Sequence, residues 1–166
     1  MLKKSFLSFE DIANEIIIND KYKELNVQNH HGITRYEHSI SVAKKTYFLT
    51  KKLNLDYVSA TRAALLHDFF IDSDFDNVHS RNKGMDHPKI ASQNAQKYFD
   101  LNNKEVNAIE AHMFPFNLKC PSSFEGVIVN IADTGVAIYE CSRFKLNTVV
   151  TIWLLFIFNI ITFTNK

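Results

Sequence analysis

Glycine and proline are scarce in this sequence, at four and three of 166 residues. That argues against a loop-rich or low-complexity chain. Cysteine is scarce too. Cys120 and Cys141 do not form a CxxC pair, and they read as ordinary reduced thiols rather than a redox or zinc motif. An excess of charge is missing as well. Lys plus Arg is 19 and Asp plus Glu is 18, a formal net charge of +1, which leaves no electrostatic footprint for nucleic acid. The N-terminal "MLKKSFLSFEDIANE" has two lysines but no apolar stretch before its acidic residues. No secretory signal is read there, and a cytoplasmic location is expected. What the chain does have is 46% apolar residues, enough for one globular domain with a sizeable core.

One segment stands apart. From Leu146 to Asn165, "LNTVVTIWLLFIFNIITFTN", twenty residues pass without a charge. A membrane-spanning helix needs about 20 apolar residues. Thr148, Thr151, Asn159 and Thr162 dilute the run. Two readings stand: a packed or irregular C-terminal segment, or a membrane anchor. Arg143 and Lys145 precede the run and would keep the preceding domain on the cytoplasmic side. The expected organisation is therefore a domain over 1–145 and an apolar tail over 146–166.

Apolar residues recur at spacings of three and four, which predicts helices. Phe9, Ile12, Ile16 and Ile17 form a first face, with Ser8 and Asp11 as a capping pair. Thr34 and Glu37 make a capping box for a second helix that runs to about Leu53. Asn54-Leu55-Asp56 breaks it, and Asp56 caps a third. Ile71 to Asp86 is polar and aperiodic and reads as a long loop. Pro88 suits a first helical position, which puts His87 near the N-cap of a fourth helix. A fifth is expected from about Asn103 to Met113, and Ser122 with Glu125 would cap a sixth through Tyr139. No segment before residue 146 predicts a strand, so the expected fold class is all-α.

Four of the seven histidines fall at telling places. His38 lies in the first turn of the second helix, His67 ends the third, His87 opens the fourth and His112 ends the fifth. Asp68 adjoins His67, and Asp133 lies inside the apolar sixth helix. A single histidine in a helix, or a lone "HD" pair, says almost nothing. An unpaired ionisable group in an apolar setting is costly, however, and one divalent metal site would relieve all six. Imidazole and carboxylate together suit transition metals.

The order H…HD…D, carried by His38, His67-Asp68 and Asp133, resembles the signature of the HD-domain superfamily of metal-dependent phosphohydrolases. The local contexts "EHSISVA", "AALLHDFF", "DHP", "AHMFP" and "IADT" are similar to those of small bacterial members. The resemblance covers roughly Arg35 to Glu140. It implies a helical bundle with a metal site at its centre. It also implies that His38, His67, Asp68 and Asp133 hold one divalent ion. His87 and His112 match the variant with a second ion, and there Asp68 bridges. The ion would be Mn, Fe, Zn, Co, Ni or Mg. His67 and Asp68 would be the catalytic pair. The activity implied is hydrolysis of a nucleotide or other small phosphoester by a metal-activated hydroxide.

Substrate contacts are read from position. Arg35 lies one turn before His38, and Lys83 lies in the segment leading to His87, as does Arg81. Such cations can hold a phosphate by charge-assisted hydrogen bonds. After Asp133 the chain reads "TGVAIYE", where many relatives carry a lysine or arginine. Arg62 reads as a surface or structural ion-pair residue. His79 is a candidate extra ligand, and His30 and His31 match no role. The expected partners are a small phosphorylated substrate, no nucleic acid, a membrane if the tail is an anchor, and a second copy in a homodimer. Two other functions compete: a di-iron oxygenase on the same fold, and a non-catalytic ligand-sensing module. The "GYP" signature of cyclic-di-GMP phosphodiesterases is absent.

Overall fold

The computed structural model describes residues 6–30, 33–75 and 83–164; among side chains it leaves out residues 29, 30, 83, 149, 150 and 152–164. The architecture is all-α. Helices α1 (Phe9–Ile17), α2 (Asp20–Lys23), α3 (Arg35–Lys52), α4 (Tyr57–Leu66), α5 (Lys83–Tyr98), α6 (Asn103–Ala111) and α7 (Phe124–Thr164) follow one another. Two 3₁₀ turns, Glu24–Val27 and Asp72–Phe75, lie between them. The short strands β1 (Asn29–His30) and β2 (Ile33–Thr34), not anticipated from sequence, pair antiparallel. With two residues each, they carry no period that a pattern could show.

Helix starts follow their capping residues. Ser8 with Asp11 and Thr34 with Glu37 form reciprocal capping boxes on α1 and α3. The Asp56 side chain accepts from the Ser59 N–H at the start of α4. Asn54 takes φ 55°, the left-handed conformation that asparagine tolerates after a helix. Two expected boundaries move. α7 opens one residue later than anticipated, because the Ser123 hydroxyl, not that of Ser122, accepts from Gly126 N–H. Glu125 turns instead to the Asp56 N–H and to Lys104. α5 begins at Lys83, so His87 lies inside the helix and Pro88 is an interior proline rather than a first-turn one.

α4 is the central element and contacts α1, α3, α5, α6 and α7. Ala60, Ala63 and Ala64 are buried on it, and small side chains let neighbouring helices approach closely. Leu65 and Leu66 fill the core beside them. Tyr22 is fully buried, and its hydroxyl donates to the Leu65 carbonyl, one of the last-turn carbonyls that α4 leaves without a partner. The apolar residues converge on the C-terminal end of α4, where the chain places His67 and Asp68.

α7 crosses the boundary expected at residue 145 without a break and stays helical to Thr164. Among the described residues, no helix is long and apolar enough to cross a membrane. Most side chains of the apolar tail lie outside the description.

Candidate metal centre

Five elements deliver the site. His67 is the residue that ends α4, and Asp68 follows it as the chain turns, with Phe70 N–H donating to the Asp68 carbonyl. His112 ends α6 in the same way. His87 comes from the second turn of α5, His38 from the first turn of α3 and Asp133 from the third turn of α7.

Three of these histidines are oriented by one local device. His67 Nδ1 donates to the Ala64 carbonyl at 2.8 Å, His112 Nδ1 to Ile109 at 2.8 Å and His87 Nδ1 to Gly84 at 2.9 Å. Each acceptor lies three residues back, and each lacks its usual helical donor. Helix geometry would assign those carbonyls to the N–H groups of residues 68, 113 and 88. Residues 68 and 113 have left their helices, and Pro88 has no N–H. A carbonyl only accepts, so Nδ1 carries the proton in all three rings and Nε2 is turned to the site.

The Nε2 atoms and two carboxylates converge. Asp68 Oδ1 lies 3.3 Å from His87 Nε2 and 3.7 Å from His112 Nε2, while its Oδ2 lies 3.8 Å from His67 Nε2. Asp133 Oδ1 lies 3.0 Å from His38 Nε2 and 3.5 Å from His67 Nε2. Three groups place their ligand atoms within 4.8 Å of one another: His38, His67 and Asp68; His67, His112 and Asp133; Asp68, His87 and His112. The two oxygens of Asp68 thus face different sets of histidines.

The donor set fits a cation. His67 Nε2 and Asp68 Oδ1 are buried without a hydrogen-bond partner. Unpaired buried polar atoms are rare and call for an explanation. His87 and His112 bring their Nε2 atoms to 2.9 Å. With both Nδ1 atoms protonated, two lone pairs would face each other there unless a positive centre lies between them. Neutral nitrogen and carboxylate oxygen together are the ligand chemistry of divalent transition metals.

Protonation follows the same logic. Burial opposes charge on His67, but the carboxylates of Asp68 beside it and Asp133 at 3.5 Å hold its pKa up to about 9. His38 is likewise buried, and its bond to Asp133 raises it. His112 is pushed down to about 4 by burial and by the neighbouring charge of His67. Asp68 is buried too, yet His67, His87 and His112 hold its carboxyl well below the usual range. Asp133 is lowered against its burial by the hydrogen bond with His38 and the nearby charge of His67. A proton on His67 stands where a bound cation would serve both carboxylates.

A cleft of about 350 Å³ opens beside Asp68, His87, His112 and Asp133. Its other wall is Met113, Phe114, Phe116 and Ile138, with the polar side chains of Asn130 and Thr134. No lysine or arginine lines it among the described residues. Arg35 stands elsewhere. Its guanidinium donates to Gln28 and Asp72 and lies 4.1 Å from the centre of the Phe70 ring. Arg81, His31 and His79 lie outside the described residues, as do the side chains of Lys83 and His30. Arg62 pairs with Glu105 and Glu15.

Two residues at the site escaped the sequence reading. Glu140 accepts from His38 Nδ1 at 2.8 Å. The Asn130 side-chain amide donates to the carbonyls of His112 and Phe114. The signal for both was spacing: Asn130, Asp133 and Glu140 fall at intervals of three and seven, one face of a helix.

Comparison with known proteins matches the stretch of chain that carries the four histidines and two aspartates. A family model described as the HD domain matches residues 35–135. Ribonuclease Y from each of two strains of Ureaplasma parvum serovar 3 is 31% identical over 110 residues. The match takes in 66% of this chain and 21% of those proteins, so the chain spans about a fifth of the length of these relatives. No solved structure matches it.

Proposed function

Because the chain belongs to the HD domain family, whose members are metal-dependent phosphohydrolases, we propose that it hydrolyses a nucleotide or another small phosphoester. The observation that supports this most is the convergence of four histidines and two aspartates around His67 Nε2 and Asp68 Oδ1, which have no hydrogen-bond partner among the described residues. His38, His67, Asp68 and Asp133 would hold one divalent ion. Asp68, His87 and His112 would hold a second. A divalent ion bound there supplies a water acidic enough to ionise near neutral pH and a positive centre for phosphoryl oxygens.

The chain's own residues do the rest. The three carbonyl-anchored histidines keep their Nε2 atoms fixed, so little reorganisation is needed on loading. Asp68 spans the two ligand sets and fixes their separation. Met113, Phe114, Phe116 and Ile138 give the cleft an apolar wall against which a base or another flat group can stack. Asn130 and Thr134 supply polar side chains beside it.

Ribonuclease Y is by its name an enzyme acting on RNA. For this chain a small substrate is the better reading. Tight binding of a long polyanion needs several lysine or arginine contacts, and the described cleft lining has none. The test is metal analysis of the full-length protein, followed by a panel of nucleotides and generic phosphoesters with Mn²⁺. Bound metal and phosphate or phosphoester release from a small substrate is the expected result. A metal-free protein that takes up none on titration would sink the proposal.

A further inference from the structure

We infer that Glu140 is a positioning residue for His38, setting the ring's tautomer and basicity toward a cation. The inference rests on the metal-centre reading above. It starts from how the His38 ring is held. The other three histidines bond carbonyls left without a helical donor. His38 is the fourth residue of α3. The carbonyl three residues back, that of Arg35, faces the N–H of Ser39, which is still inside the helix. That carbonyl is thus already used within the helix, and side chains of another helix contact both ring nitrogens of His38.

α7 supplies one. Asp133 and Glu140 are seven residues apart, two turns and about 10 Å along one face. They grip the two ends of one imidazole: Asp133 Oδ1 at 3.0 Å from Nε2 and Glu140 Oε2 at 2.8 Å from Nδ1. The His38 ring is fully buried, and the Glu140 side chain is 9% exposed. With Nδ1–H given to Glu140, Nε2 is left to the Asp133 carboxylate, where a proton holds the pair in the metal-free protein and where His38 and Asp133 would share a cation in its place. A carboxylate behind a ligating histidine also makes the ring a stronger ligand.

Glu140 has a second exposure. It walls a cavity of about 400 Å³ between α3 and α7, together with Glu37, Lys45 and Arg143. It is thus the contact between that cavity and the metal centre, although no metal ligand lines the cavity itself.

A bland alternative is that the contact only ties α3 to α7. Three full-length proteins separate the two: wild type, Glu140→Gln and Glu140→Met. Gln keeps an acceptor and loses the charge. Met keeps the volume and loses both. Zn²⁺ or Co²⁺ affinity is the readout, with thermal stability measured beside it. The expected result is a loss of about 10–100-fold for Glu140→Met, the usual effect of removing an outer partner of a ligating histidine. Glu140→Gln should fall between. Wild-type affinity in Glu140→Met, with only stability lowered, overturns the inference and leaves the metal centre standing. If wild type itself takes no metal, both fall. Should Glu140→Met fail to fold, ¹H–¹⁵N spectra of the Zn²⁺-loaded wild type and Glu140→Gln decide. The His38 Nδ1 proton should lie downfield in wild type and move upfield in the variant; an unchanged resonance overturns the inference.

Discussion

The two halves of the metal centre are built by different means. His67, His87 and His112 are each held by a carbonyl three residues back in their own helix. His38 and Asp133 are 95 residues apart in sequence and hold one another, with Glu140 a further two turns away in α7 on the same ring. The first half is assembled by local geometry as soon as each helix forms. The second exists only when α3 and α7 are docked in register. The difference implies that changes to packing should disturb the His38–Asp133 half first, while the other three imidazoles keep their orientation.

Asp68 is the residue common to both proposed ion sites, so its loss should have the largest effect. Asp68→Asn keeps the shape and removes the charge. It should cost more than the roughly 100-fold that an outer partner costs in metal affinity, and phosphoester turnover should fall to background. Metal titration and the same substrate panel check this. Stoichiometric metal retained in Asp68→Asn would mean that the two halves are independent sites, and the bridging role would be wrong.

Proton competition comes next. His67 is held up to about 9 in the metal-free protein, so loading at neutral pH must displace its proton. Affinity should rise about tenfold per pH unit while one proton is released, and flatten above about pH 9. The metal-free fold carries the signs separately. His67 has a raised pKa, so its contribution is full below the ordinary histidine value and is lost as pH climbs toward about 9. His112 has a lowered one, so its contribution is full above the ordinary value and is lost as pH falls toward about 4. Stability of the metal-free protein should therefore peak near pH 6–7. Thermal melts across pH, with and without metal, measure both.

The same contrast explains what the sequence could show. Ser8, Thr34 and Asp56 announce their helices through contacts three residues long, and His67-Asp68 stands out at the end of an apolar run. Those features were legible because they are local. Glu140 was not, since its partner lies 102 residues away and its carboxylate in "TGVAIYE" resembles any surface acid. Arg35 shows what position alone leaves out. One turn before a ligand it reads as a substrate contact, and the fold pairs its guanidinium with Gln28 and Asp72. His87 was recognised as a ligand candidate while its setting was misjudged, because a proline in a helix interior is read as a helix start.

Asn130 links the halves, since it sits on the α7 face of Asp133 and donates to the carbonyls that end α6. Asn130→Ala leaves those acceptors, one part-buried and one exposed, without that donor, a loss of about 0.5–1.5 kcal/mol for an ordinary hydrogen bond. Denaturant melts should show that loss, with metal affinity reduced less than in Glu140→Met. An equal or larger metal defect would place Asn130 nearer the chemistry than its hydrogen bonds do.

Pro88 gives the smallest effect and the sharpest test of the local half. A proline inside a helix withholds one N–H and normally weakens it. Here the carbonyl it strands, that of Gly84, is the acceptor for His87 Nδ1. Pro88→Ala restores an N–H that competes for that carbonyl and removes the ring that strained the helix. α5 should be no less stable, while His87 becomes freer to turn or change tautomer. The expected result is a several-fold weaker second metal equivalent, with the first unaffected and the melting temperature equal or higher. The opposite pattern, lower stability with both metal equivalents intact, would mean that Pro88 serves packing alone and that the stranded carbonyl is not what aims His87.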